Sequence, residues 1–206
     1  MIEGIEIIFG IAVLIMSVIA HEVSHGYAAA FLGDPTARMA GRLSLNPVKH
    51  IDPVGSIAVP LLSYMLGGFI FGWAKPVPYN PYNLRDQRWG PAIVAAAGPA
   101  MNIAIAIIFG MLVRFAAPLG IANEAFYSLA IMIVFINVLL ALFNLIPIPP
   151  LDGSKILSAF LPSRYLSFMA SLEQYSFFAV IIFILLFWQS IVPVVYGITW
   201  FLVGGV

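Results

Sequence analysis

Apolar residues along this chain fall into long runs, separated by two main polar connections. A transmembrane α-helix needs about 20 mainly apolar residues, and several runs reach that length. The pattern predicts five spanning helices, at about residues 5–32, 54–74, 90–116, 126–148 and 177–206. With a short helix at about 154–160, the chain is predicted to be an all-α polytopic membrane protein, a bundle of about five to six transmembrane helices.

The two polar connections differ in pattern. Residues 33–53 contain "ARMAGRLSL", whose partial alternation of apolar and polar positions predicts a small membrane-associated β-hairpin or edge strand after the first helix. Residues 74–91 are rich in Pro, Asn and Tyr, which is typical of a structured loop. Neither connection is long enough for a separate soluble domain, so residues 1–206 are predicted to form a single membrane-embedded domain.

Composition supports the membrane assignment and narrows the chemistry. The chain is 62% hydrophobic and 9% charged, whereas a soluble domain has about 25% charged residues. Its formal net charge of zero provides no basic patch for nucleic acid. The start of the chain carries Glu3 and Glu6 where a cleaved signal peptide would be basic. Because cysteine is absent, a transition-metal site must use His, Asp or Glu.

Ionisable residues stand out within the first apolar run. His21, Glu22 and His25 form an H-E-x-x-H sequence, and intramembrane ionisable groups are kept at a cost that function usually explains. On a helix the two histidines share one face, so they can bind one zinc ion with Glu22 as general base. Residues 7–20 before them are apolar and rise about 21 Å, which predicts a site within the membrane but nearer one side. The alternative is two histidines merely hydrogen-bonded inside a bundle.

A catalytic zinc ion takes three protein ligands, so a third must come from elsewhere. The candidates are the pair His50 and Asp52 and, preferred, Asp152, which follows a helix broken by prolines and precedes Gly153. On local chemistry alone, a helix N-cap is an equally good role for Asp152. The other acidic residues lie too far along the first helix or in polar surroundings where solvation is expected: Glu3, Glu6, Asp34, Asp86, Glu124 and Glu173.

Three asparagines also lie in apolar sequence. Asn144 precedes the proline break and is a candidate donor to a peptide oxyanion. The alternative role, an amide contact between helices, suits Asn102 and Asn137 better than Asn144.

These motifs together resemble the site-2 protease family of intramembrane zinc metalloproteases. The resemblance rests on "HEVSH" at 21–25, "GPAMN" at 98–102 and "NLIPIPPLDG" at 144–153, and on the stretches "NPVKHIDPVGS" and "WAKPVPYNPYNL". It implies one zinc ion held by His21, His25 and Asp152, with Glu22 as base and Asn144 binding substrate or stabilising the tetrahedral intermediate.

The resemblance also implies a function and a setting. The expected activity is hydrolysis of peptide bonds in or near the transmembrane segments of membrane protein substrates, in a multi-pass protein of the prokaryotic plasma membrane. The inserted PDZ and C-terminal nucleotide-sensing domains of many members have no counterpart in this sequence, so a minimal core enzyme is expected. An extended substrate is expected to pair with a strand edge near residues 37–47. A homo-oligomer is compatible with these expectations.

Two rival hypotheses use the same residues. A metal transporter would place ionisable groups along a path through several helices, whereas here they are concentrated at one locus. A catalytically silent scaffold would not need Glu22, because zinc binding alone does not require that base.

Overall fold

The structure is a computed structural model that describes residues 2–52, 55, 65, 74–118, 120, 123–162 and 171–205, with backbone alone for residues 2–6 and 177. Its helices are α1 (Ile2–Phe31), α2 (Thr36–Met39), α3 (Gly90–Arg114), α4 (Glu124–Asn144), α5 (Asp152–Phe160) and α6 (Ser176–Val203). Two 3₁₀ turns cover Pro47–His50 and Pro81–Asn83. The helix predicted at 54–74 lies outside the described residues except at three positions.

Among the described residues, four helices are long and apolar enough to cross a membrane, namely Ile7–Phe31, Gly90–Arg114, Glu124–Asn144 and Phe178–Val203. They correspond to four of the five predicted spans. The short helix predicted at about 154–160 is also present, as α5. The all-helical class therefore agrees with the sequence pattern, and such apolar helices mark a membrane protein.

The predicted β-hairpin is wrong, because the described part of the 33–53 connection contains no strand. The Asp34 carboxylate accepts hydrogen bonds from the Thr36 backbone N–H and hydroxyl, which begins α2 in place of an extended strand. Arg42 N then bonds to the carbonyl of Ala37, closing a turn at Gly41, whose φ is +64°. A local side-chain-to-backbone turn thus outweighs the alternation of apolar residues, and the strand edge expected to receive substrate is not formed there.

α3 lies at the centre of the bundle and contacts α1, α4, α5 and α6. Its buried face carries small residues, including Gly98, Ala106 and Gly110, which let neighbouring helices approach closely. The main hydrophobic cluster joins α3, α4 and α6 through these buried side chains: Ala106, Val113, Ala130, Val134, Val138, Val195 and Val203. α1 and α5 both pack against α3, and the end of α1 meets it at Val94 and Gly98.

The connection at 74–91 is a structured loop, as its composition predicts, and a buried carboxylate holds it. Asp34, expected from the sequence to be solvated, is 0% exposed. It accepts hydrogen bonds from Asn80 N at 2.6 Å and from Asn83 Nδ2 at 2.8 Å. Burial raises the pKa of Asp34, but the hydrogen bonds from Thr36, Asn83 and Asn80 outweigh it, so the pKa lies below its ordinary value.

Candidate metal centre

One helical turn of α1 places His21 and His25 side by side. Their ring centroids are 4.6 Å apart, the rings are nearly perpendicular, and both side chains are buried. The rings pack against α3 at Gly98, where a Cβ atom would lie 2.5 Å from His21 Nε2 and from His25 Nε2. A glycine at this position therefore makes room for both imidazoles.

Hydrogen bonds to the Nδ1 atoms define the tautomer of each histidine. The Nδ1–H of His25 donates to the Val94 carbonyl at 2.7 Å. The Nδ1–H of His21 donates to Asn102 Oδ1 at 2.6 Å, and the orientation of that amide follows from Asn102 Nδ2 donating to Asn137 Oδ1 at 2.8 Å. Both Nε2 atoms consequently present lone pairs toward the same point.

Asp152 faces these two lone pairs from the first turn of α5. Its Oδ2 atom lies 3.0 Å from His21 Nε2 and 3.2 Å from His25 Nε2. The N-cap of α5 is Leu151, and no side chain caps this helix, so the capping role considered for Asp152 is not the one observed. Gly153 packs directly on the carbonyls of Leu145 and Ile146, which brings the start of α5 against the end of α4.

The donor set of His21, His25 and Asp152 fits a zinc ion. Two imidazole lone pairs and an ionised carboxylate repel one another unless a positive charge lies between them. Ligands about 2.0–2.1 Å from a tetrahedral zinc ion are separated by about 3.3 Å, close to the observed 3.0 and 3.2 Å. A carboxylate oxygen of Glu22 is also near, within 4.8 Å of the candidate ligand atoms of both histidines.

Glu22 is half-buried and accepts a hydrogen bond from the 74–91 connection. The backbone N–H of Val77 donates to Glu22 Oε2 at 2.9 Å. The extended stretch at residues 74–80 thereby lies beside the histidines, and Arg42 Nη2 supports it by donating to the carbonyls of Lys75 and Pro76.

A cavity of about 180 Å³ opens onto this cluster. Asn144 lines it, although its Nδ2 donates at 3.0 Å to the Leu140 carbonyl of its own helix. Sequence reasoning missed Tyr79 and Lys155, which also line the cavity and form a cation–π contact at 5.9 Å. The signal for Lys155 was available, because it follows Asp152 by three residues on one helix.

His50 and Asp52, the alternative ligand pair, form hydrogen bonds away from the metal centre. His50 is buried, and its Nε2–H donates to the Ser44 carbonyl at 2.8 Å. Asp52 accepts a hydrogen bond from Gly55 N at 2.8 Å. Within the described part of the chain, neither residue lines the cavity beside His21 and His25.

Comparison with known proteins agrees with these motifs. The family model described as Peptidase family M50 matches residues 115–187, and the chain is 38% identical over 184 residues to the "Putative zinc metalloprotease YwhC" of Bacillus subtilis, covering 84% of this chain and 77% of that protein. This chain belongs to peptidase family M50. The "Putative zinc metalloprotease Rip2" of Mycolicibacterium smegmatis is 31% identical to this M50 protein over 176 residues, covering 85% of this chain and 66% of the relative. No solved structure matches this chain.

Membership of family M50 confirms the site-2 protease resemblance that the motifs indicate. The matched segment contains Asn144 and Asp152, whereas the H-E-x-x-H sequence lies outside it. The M50 protein is thus a member of a family of membrane-associated zinc metalloproteases, with a His–Glu–His cluster able to hold a metal ion.

Proposed function

We propose that this M50 protein is an intramembrane endopeptidase that holds one zinc ion and cleaves other membrane proteins in or near their transmembrane segments. The observation that carries the proposal is the convergence of His21 Nε2 and His25 Nε2 with Asp152 Oδ2, although Asp152 lies more than a hundred positions from both histidines in the sequence. The relatives named as zinc metalloproteases support the same chemistry.

Each side chain has a distinct role in the proposed reaction. His21, His25 and Asp152 hold the zinc ion, which when bound supplies a Lewis acid that polarises the scissile carbonyl and acidifies water. Glu22 accepts a proton from the attacking water and then delivers it to the leaving amine. Asn144 has a second Nδ2 hydrogen in addition to the one given to Leu140, and this hydrogen binds the substrate backbone or its developing oxyanion.

The position of the site supports the proposed class of substrate. His21 follows about 14 apolar residues of a helix long enough to span the bilayer, so the cluster lies at membrane depth. A helical substrate hides its carbonyls in internal hydrogen bonds and therefore has to unwind locally to be cleaved. A multi-pass arrangement in a prokaryotic plasma membrane fits the four apolar helices and relatives from Bacillus and Mycolicibacterium.

Two substitutions in the purified protein, reconstituted with a labelled transmembrane peptide, test the assigned roles. Glu22→Gln should retain about one zinc ion per chain while cleavage falls at least about 100-fold, because a general base typically contributes 10²–10⁴-fold to the rate. Asp152→Ala should lose both zinc and cleavage, because it removes a ligand. Zinc is measured by elemental analysis, and cleavage by mass spectrometry of the peptide.

Glu124→Gln provides a matched control, because Glu124 is an exposed carboxylate at the start of α4. It should leave both zinc content and cleavage unchanged. Full cleavage by Glu22→Gln would remove Glu22 from the role of base, and wild-type zinc content in Asp152→Ala would remove Asp152 from the ligand set. A zinc-loaded protein that moves metal across vesicles without cutting peptide would favour a transporter.

A further inference from the structure

Beside His21, three polar side chains are buried between helices α1, α3 and α4. Asn102 and Asn137 are each 0% exposed, and Ser17 is 4% exposed. Unsatisfied polar groups at membrane depth are costly, so a cluster of this kind is retained only when its hydrogen bonds are made. The proposed reaction does not by itself use any of these three residues.

The hydrogen bonds of this cluster run in one direction. Asn137 Nδ2 donates to Ser17 Oγ at 2.9 Å and to the Ile133 carbonyl at 2.9 Å, which turns Asn137 Oδ1 toward Asn102. Asn102 Nδ2 donates to that oxygen at 2.8 Å and to the Ser17 carbonyl at 3.3 Å. Asn102 Oδ1 is therefore left to accept from His21 Nδ1–H, at 2.6 Å.

The two histidines differ in what holds them. His25 Nδ1–H donates to the backbone carbonyl of Val94, which no side-chain substitution removes. His21 Nδ1–H instead donates to the Asn102 side chain, and the orientation of that amide depends on Asn137 of α4. A change at Asn102 should therefore release the ring of His21 alone and leave that of His25 in place.

We infer that Asn102 is a positioning residue that fixes the tautomer and ring orientation of His21, and that Asn137 and Ser17 fix the Asn102 amide. This inference rests on the proposed function, because it takes His21 as a zinc ligand. With Nδ1 protonated by this contact, Nε2 keeps its lone pair for the metal. Outer hydrogen bonds of this kind typically change metal affinity 10–100-fold when they are lost.

The test compares two substitutions of similar shape in the full-length protein in detergent. Asn102→Leu removes the acceptor, so zinc affinity should fall 10–100-fold. Asn102→Asp keeps an acceptor oxygen for His21 Nδ1–H, so zinc affinity should stay within about threefold of wild type. Affinity is measured by competition with a chelator of known zinc affinity, and X-ray absorption of the zinc-loaded proteins counts the imidazole ligands.

A merely structural role would give a different pattern. Both substitutions disturb the contacts to Asn137 and Ser17, so both should lower the midpoint of thermal unfolding of the metal-free protein. Only the positioning role predicts that the aspartate variant keeps zinc while sharing this loss of stability. Asn102→Ala replaces the leucine variant if leucine prevents folding, since it also removes the acceptor but demands no space.

Thr199→Val is the matched control, because the Thr199 side chain is also buried and its Oγ1 has no hydrogen-bond partner among the described residues. It should not change zinc affinity. Equal zinc affinity in Asn102→Leu and wild type, or an equal loss in the leucine and aspartate variants, would overturn the inference. Failure of the wild-type protein to bind zinc or cleave peptide would instead refute the proposed function.

Discussion

Gly98 marks the closest approach of α3 to the two histidines. A Cβ atom built there lies 2.5 Å from His21 Nε2 and from Cε1 and Nε2 of His25, a separation that no packed side chain tolerates. The contacted atoms belong to two buried rings whose Nδ1 atoms are already fixed by Asn102 and Val94. The rings therefore have little freedom to move away from an added methyl group.

We predict that Gly98→Ala disrupts the metal centre. The methyl group should displace both Nε2 atoms from Asp152, lowering zinc affinity at least about 10-fold and destabilising the protein by about 1–3 kcal/mol through overpacking. Chelator competition measures the affinity, and thermal unfolding measures the stability.

Two other glycine-to-alanine substitutions separate the metal effect from general packing. Gly110→Ala, on the same helix, would meet the Leu202 carbonyl at 3.0 Å and should reduce stability but keep zinc affinity. Gly197→Ala places its Cβ where no atom of the described residues lies within 4 Å, so it should leave zinc affinity unchanged and should not lower stability. Unaltered zinc affinity in Gly98→Ala would mean that α3 does not constrain the histidines.

At the scale of elements, the loop at 74–91 is attached to the end of α1 through Asp34. This carboxylate accepts hydrogen bonds from Asn80 N and Asn83 Nδ2 in the loop, and from the backbone N–H and hydroxyl of Thr36 at the start of α2. In the same loop, the Val77 backbone N–H donates a hydrogen bond to Glu22 Oε2. Asp34 thus links the packing of the loop to the position of the proposed base, although it lies outside the metal centre.

We predict that Asp34→Asn lowers the free energy of unfolding by about 2 kcal/mol at pH 7, because charge-assisted hydrogen bonds contribute about 1.5–3 kcal/mol each when buried. The loss should depend on pH. The pKa of Asp34 lies below its ordinary value of 3.8 in the folded protein, so its stabilisation is present above that value and disappears as the pH falls through the lowered pKa.

The difference in unfolding midpoint between wild type and Asp34→Asn should therefore be constant near neutrality and shrink in acid below about pH 4. Glu173→Gln, at an exposed carboxylate, serves as control and should change stability by less than about 0.5 kcal/mol. A difference that stays the same down to pH 3 would show that the hydrogen bonds do not depend on the charge of Asp34.

The sequence predicts contacts within one element better than contacts between elements. The residues His21, Glu22 and His25 were recognisable because their spacing and chemistry lie within one helix. The meeting of Asp152 with them depends on long-range packing, and local chemistry alone left an N-cap equally plausible. The hairpin prediction failed because alternation over a few residues is a weak signal beside a buried carboxylate that accepts hydrogen bonds from the turn that follows it.

At the scale of the whole molecule, the apolar pattern located the four spanning-length helices found among the described residues, but it did not predict which helices pack against one another. That α3 is central follows from its small residues, and small residues alone do not say which helices will approach them. The Asn102–Asn137 contact between α3 and α4 agrees with the role expected from the sequence. That His21 joins this contact could be seen only in three dimensions, because Ser17, Asn102 and Asn137 lie on three separate helices.

The chain contains no cysteine, so single cysteines can report which side of the membrane each helix end faces. Tyr82 precedes α3 and is 84% exposed, whereas Glu124 begins α4 after the short connection that follows α3. If α3 crosses the bilayer, Tyr82→Cys and Glu124→Cys lie on opposite sides. A membrane-impermeant maleimide should label one of them in intact spheroplasts and the other only after permeabilisation.

Ile107→Cys provides the control for this experiment, because Ile107 is 46% exposed in the middle of α3 and should contact lipid. It should remain unlabelled in both conditions, since a maleimide that stays in water does not reach the hydrocarbon core and a thiolate does not form there. Labelling of Tyr82→Cys and Glu124→Cys together in intact spheroplasts would place both ends of α3 on one side, and the metal centre could then not lie within a spanning bundle.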